Sequence, residues 1–254
     1  MSSTATAAQC GLYLYAVTPA GVTGAGCGAG VEDSGVESIE QDGLAAIVSR
    51  LEVTKLRPRR ANLAAHHRVL SQLSGRQAVL PAAFGTIGSS EEEVRAMLGR
   101  NREVLAALLA RLAGKVEMGL KVYWETANIF DYFVATHQEL ETLRNRLFRA
   151  GAHPSVDQKL ELGRLFESLI TESRARHTRR VTEALAGCSA EICAVDPGEE
   201  RMIMKLACLV ERGRQAEWEA GVHQAARLFD DNYRFDYNGP WPPYNFVHVD
   251  LKVS

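Results

Sequence analysis

The sequence predicts an α+β protein of two domains. A ferredoxin-like α+β domain spans residues 1–126, and an α+β domain over residues 127–254 combines a long helical hairpin with a small ferredoxin-like sheet. Three observations lead there. The chain has 254 residues, enough for two cores of ordinary size. Short apolar runs and helical stripes follow one another in the order β-ββ-α-β-α-β through the first half. Near Thr126 that pattern gives way to two long helical stretches, and then two strands, a helix and a strand repeat the ferredoxin-like order loosely.

Residues 12–17 form a continuous apolar and aromatic run stopped by Thr18-Pro19, the pattern of a buried strand entering a turn. Residues 21–30 are too rich in glycine to hold regular structure and predict a mobile loop. Two strands, 36–39 and 44–51, flank Asp42-Gly43, a strong hairpin signal. From Arg60, Leu63, His67, Leu70 and Leu73 recur at helical spacing, with Gly75 placed to end the helix. A strand follows over 78–87. Ser90 and Glu93 then make a capping box for one helix whose apolar stripe runs from Val94 to Leu112, ahead of Gly114. Val116, Met118, Leu120, Val122 and Trp124 alternate with polar neighbours, the period of a half-buried strand.

Beyond Thr126, helices over 129–149 and 154–186 form the hairpin, the second carrying Leu162, Phe166, Leu169 and Ser173 on one face. Strands 190–195 and 202–210 surround Asp196-Pro197-Gly198. Trp218, Val222, Ala225 and Phe229 mark another helix, and Val247, Val249, Leu251 and Val253 a closing strand.

Composition narrows the function. A formal net charge of -2 gives no broad attraction to phosphate backbones, so nucleic acid is not an expected partner. Charged residues interrupt every hydrophobic run, so no membrane span is expected, and residues 1–10 do not read as a secretory signal; the expected location is cytoplasmic. The cysteines at 10, 27, 188, 193 and 208 include no CxxC pair and read as reduced packing residues.

Motifs for chemistry are missing or incomplete. The glycine-rich loop lacks GxxxxGK[ST], and Gly24-Ala25-Gly26 fails GxGxxG because residue 29 is alanine. His66 and His67 are adjacent on a helix and point about 100° apart, without HExxH or a suitably spaced carboxylate. Asp230-Asp231, with Asn232 and Asp236, lacks the glycine and terminal glutamate of an EF-hand and reads as a helix end and turn. No serine lies in GxSxG. The basic run Lys55-Leu56-Arg57-Pro58-Arg59-Arg60 and the arginines of 174–180 suit either an anionic partner or a solvated surface. Neither an enzyme nor a cofactor is expected. The alternative is a cofactor-independent ferredoxin-like enzyme, such as a monooxygenase, with a cleft lined by Tyr13, His67 and Trp124.

One segment stands out. Residues 233–246 gather aromatic side chains around Gly239-Pro240-Trp241-Pro242-Pro243, where prolines stiffen the backbone and leave the rings little freedom to lose on contact. Such a segment either anchors a partner, through Tyr237, Trp241, Tyr244 and Phe246, or plugs the seam between the domains. Gly239-Pro240-Trp241-Pro242-Pro243-Tyr244-Asn245-Phe246 also resembles the C-terminal signature of the gas vesicle protein F/L family. Further similarities fall in the family's order: 12–17 (Leu-Tyr-Leu-Tyr-Ala-Val), 80–86 (Leu-Pro-Ala-Ala-Phe-Gly-Thr) and 117–124 (Glu-Met-Gly-Leu-Lys-Val-Tyr-Trp). The chain departs from the family at Ala83, where a basic or polar residue is usual, and in its longer glycine-rich loop. The resemblance implies an accessory protein of gas vesicle assembly. It would associate with the vesicle and act by contact with the hydrophobic major shell protein and other accessory proteins.

Overall fold

The computed structural model describes residues 11–24, 26–52, 55–149 and 153–248. The chain forms two compact units, Met1–Glu117 with Pro240–Ser254, and Met118–Gly239. The tail from Pro240 is therefore grouped with the first unit, and the change of unit near residue 117 falls inside a strand.

The first unit is built on β1 (Gly11–Pro19), β2 (Glu37–Gln41), β3 (Leu44–Leu51), β4 (Leu80–Pro81) and β5 (Ile87–Gly88). Its sheet has the order β2-β3-β1-β4, with β5 also pairing to β1. That is the order of a split βαβ sheet, with a glycine-rich loop and a 3-10 turn (Val31–Asp33) in place of the first crossover helix. The hairpin closes as the sequence predicts. Gln41 pairs with Leu44, and Asp42 and Gly43 both take positive φ, 51° and 83°, the twist a two-residue hairpin turn needs. Tyr13, Tyr15 and Ala16 all reach one core because a register shift between Leu14 and Ala16 breaks the two-residue alternation. The loop does not hang free: Cys27 and Val31 are buried in that core, and the Val31 N–H donates to Tyr15 Oη at 2.8 Å.

Helices α1 (Arg60–Arg76), α2 (Glu91–Arg100) and α3 (Arg102–Leu112) complete the unit. Four expectations change here. The buried face of α1 is Asn62, Ala65, His66, Val69, Leu70, Leu73 and Ser74, so Leu63 lies outside and is 44% exposed. Gly75 lies within α1 and does not end it. The strand expected over 78–87 is two short pieces, because Pro81 lacks an N–H and Gly85 turns at φ 90°. The single helix expected from Ser90 to Leu112 breaks at Asn101, whose side chain and backbone N–H both turn back to the Met97 carbonyl. At its start Ser90 Oγ accepts from the Glu93 N–H, and the Glu93 carboxylate accepts both donors of Ser89 besides facing the Ser90 backbone N–H.

The second sheet has the order β7-β8-β6-β9, from β6 (Lys115–Trp124), β7 (Glu191–Val195), β8 (Met202–Glu211) and β9 (Tyr233–Trp241). Between β6 and β7 run α4 (Ile129–Thr136), α5 (Gln138–Leu147) and α6 (Val156–Leu185); α7 (Gln215–Ala226) joins β8 to β9. This is the full split βαββαβ arrangement. The first arm of the expected helical hairpin is interrupted at His137, which leaves helical geometry and stacks on Phe133 with ring centroids 4.9 Å apart. The long arm holds. Ser155 and Gln158 form a reciprocal capping box, and Leu162, Leu169, Ile170, Ser173, Val181 and Leu185 are buried.

Among the described residues the last strand is β9 (Tyr233–Trp241), and the closing strand expected from Val247 to Val253 falls mostly outside them. Val247 forms no strand, and Val249, Leu251 and Val253 lie outside the described residues. The edge strand is the aromatic segment itself, β9, where Tyr233, Phe235 and Tyr237 alternate with Arg234, Asp236 and Asn238.

Candidate functional site

The 100° step between neighbouring helical residues sends the two α1 histidines to different environments. His66 faces inward: Tyr13 Oη lies 2.8 Å from its Nδ1, it hydrogen-bonds the Ala82 backbone, and Tyr15 stacks on its ring. Burial, with a smaller contribution from His67, pushes its pKa down to about 4, so the ring is neutral in the folded protein. Its neighbour faces outward. His67 Nδ1 is 3.4 Å from Tyr244 Oη, Nε2 is 3.3 Å from Ser71 Oγ, and the ring lies 5.3 Å from that of Trp241.

Trp241 and Tyr244 are held there by the residues around them. Pro242 and Pro243 restrict the link, and Tyr244–Phe246 winds into a 3-10 turn. Glu117 is 5% exposed, and its carboxylate accepts both from the Asn245 backbone N–H at 2.8 Å and from Asn245 Nδ2 at 2.6 Å. Arg111 donates to the Phe246 carbonyl, and the Phe246 ring is 3% exposed. Burial and the Glu117 charge push the Tyr244 pKa up to about 12, so its hydroxyl stays protonated beside His67. The result is a fixed surface cluster of Trp241, Tyr244 and His67.

Of the four residues singled out in the sequence, the structure brings Trp241 and Tyr244 together at the surface of the first unit. Phe246 is their buried anchor. Tyr237 sits on β9 in the second unit, 38% exposed, with its ring edge-on to Trp218 and His223. Sequence reasoning missed Glu117 and His66. Glu117 lies on the polar side of the β6 alternation and reads as a solvated residue. His66 had a signal, since Asn62, Val69, Leu70 and Leu73 share its face of the helix.

Two of the three residues named for an enzyme cleft are buried, each in its own unit. Tyr13 is fully buried in the first unit and Trp124 is 1% exposed in the second. The Asp230 carboxylate caps its own turn by accepting from the Asn232 N–H. Among the described residues, no group of three or more His, Cys, Asp or Glu is placed to hold a metal ion, and no helix is long and apolar enough to cross a membrane.

Comparison with known proteins agrees in sequence and in fold. The family model described as gas vesicle synthesis protein GvpL/GvpF matches residues 11–248. Gas vesicle protein F of Dolichospermum flosaquae is 26% identical over 242 residues, covering 94% of this chain and 98% of the relative. Gas vesicle protein F of Streptomyces sp. (strain CB03234) is 32% identical over 214 residues, covering 84% and 87%. The crystal structure of GvpF from Anabaena sp. PCC7120 superposes with a TM-score of 0.81 at 27% identity, over 94% of this chain and 99% of that one. The chain belongs to the GvpL/GvpF family of gas vesicle synthesis proteins.

Proposed function

We propose that this protein serves gas vesicle formation as an assembly factor that binds the hydrophobic shell protein through the Trp241–Tyr244 cluster. Family membership supports the role in gas vesicle formation. The observation that supports the contact is the anchoring of two aromatic side chains at the surface by Glu117, Arg111 and Phe246. Rings already fixed in place lose little entropy on docking, and tryptophan and tyrosine contribute disproportionately to protein interfaces. On this reading the protein associates with the growing vesicle and turns over no substrate. Tyr237 offers a second contact, from the second unit. The test is co-purification of the shell protein with the wild type and with a Trp241→Ala/Tyr244→Ala variant. Phe246 is left intact because its removal would undermine the fold.

A further inference from the structure

Residues 55–59 present three cations at the surface. Lys55, Arg57 and Arg59 are exposed, while Leu56 between the first two is only 8% exposed. The residue before a proline is driven to extended geometry, and Arg59 is itself extended at φ -74° and ψ 147°. The backbone turns tightly at Pro58, where the Arg59 N–H donates to the Arg57 carbonyl at 2.7 Å, and the three cations stay at the surface while Leu56 turns into the core.

These cations border an open groove of about 480 Å³, lined also by Arg50, Leu51, Ser34, Glu32 and Glu52. Asn62 ties its walls together. Its Oδ1 accepts from the Glu32 N–H at 3.2 Å, and its Nδ2 donates to Glu32 Oε1 at 2.7 Å and to the Arg57 carbonyl at 3.5 Å. That grip holds Glu32 and Asp33 at φ 49° and 54°, a left-handed geometry that costs non-glycine residues energy. Elsewhere on the surface, Arg95, Arg146, Arg176, Arg214 and Arg234 all pair with carboxylates. Lys55, Arg57 and Arg59 make no ion pair among the described residues. They also crowd the N-terminus of α1, whose first turn has no acidic residue and whose cap makes no side-chain hydrogen bond. Cations are disfavoured at that end of a helix, and an anion placed there relieves the conflict.

We infer that this groove docks an acidic segment of a protein partner, with carboxylates facing Lys55, Arg57 and Arg59. The buried Leu51 and Leu56 give it an apolar floor, which the side chains of a peptide can cover and a polyphosphate cannot. The net charge of -2 disfavours nucleic acid. This site is separate from the aromatic cluster and stands or falls independently of it.

The experiment is fluorescence polarisation of a labelled glutamate-rich octapeptide against the full chain. The expected result is saturable binding that weakens with added salt and falls at least about tenfold in Lys55→Glu/Arg57→Glu/Arg59→Glu. Binding should be unchanged in Trp241→Ala. All three substituted side chains are exposed, so circular dichroism should match the wild type. If the charge-reversed chain fails to fold, Lys55→Gln/Arg57→Gln/Arg59→Gln takes its place, with the same loss expected. The inference is overturned by absence of saturable binding to the wild type, or by equal binding to the folded triple variant. It is also overturned if inorganic phosphate or a single-stranded oligonucleotide binds the groove more tightly than the peptide.

Discussion

Single side chains fix the aromatic cluster, and two of them make sharp predictions. Replacing Glu117 with alanine removes the acceptor of two Asn245 donors in a region that water barely reaches. An unsatisfied buried donor costs about 1–3 kcal/mol, so Glu117→Ala should lower the urea midpoint and speed hydrogen exchange at the Asn245 amide; Glu117→Gln should cost less. His66 predicts a pH dependence with a definite sign. Its folded pKa, about 4, lies below its ordinary value of 6.5, so the fold favours the neutral ring. The contribution is whole above pH 6.5 and is lost as pH falls toward 4, amounting to about 2 kcal/mol between pH 7 and pH 5. His177, pushed down to about 4 by burial and by Arg176 and Arg180, acts in the same direction. Urea unfolding at the two pH values should show the drop, and a His66→Asn variant, less stable throughout, should show a shallower one. The aromatic residues of the site were legible because prolines and rings cluster in sequence. Glu117 was not, because nothing in an alternating strand shows that a distant segment covers its polar side.

At the scale of elements, the glycines separate turns and close approaches from positions of convenience. A Cβ at Gly30 would come within 2.2 Å of Tyr15 Oη and 2.7 Å of Ser49 Oγ, two atoms hydrogen-bonded to each other in the core. Gly75 is helical and meets nothing within 4 Å. Gly30→Ala should destabilise by about 1–3 kcal/mol through overpacking, and Gly75→Ala should stabilise by about 0.5–1 kcal/mol, both read by thermal or urea unfolding. Strong local signals gave the right elements: the Asp42-Gly43 hairpin, the long α6, and the alternating β6. Errors arose where tertiary contacts decided the outcome. Asn101 and His137 each break a continuous helical stripe by turning side-chain groups onto the preceding turn. The apolar face of α1 moved because His66 and Asn62 are buried through hydrogen bonds, which a hydrophobic pattern does not count. The Tyr-Arg-Phe-Asp-Tyr-Asn alternation at 233–238 is itself a strand signal, outweighed by the proline turn that follows it.

Across the whole molecule, the two units share one sheet order. Strands β1, β2, β3 and β4 occupy the same places in the first as β6, β7, β8 and β9 in the second. The sequence shows no repeat, since a split βαβ sheet constrains burial pattern and connection more than residue identity. What differs is the first crossover, a glycine-rich loop in one unit and three helices in the other. A shared superfold does not choose a function. That choice rests on family membership, and the proposed contact on the Trp241–Tyr244 cluster, which belongs to the first unit although Trp241 ends the last strand of the second sheet. The most direct measurement is co-purification of the major gas vesicle shell protein with this chain, comparing wild type, Trp241→Ala/Tyr244→Ala and Tyr237→Ala, each verified as folded by circular dichroism. Shell protein retained by the wild type and lost from the Trp241→Ala/Tyr244→Ala variant is the predicted result; equal retention by that variant, or none by the wild type, would contradict the proposed contact.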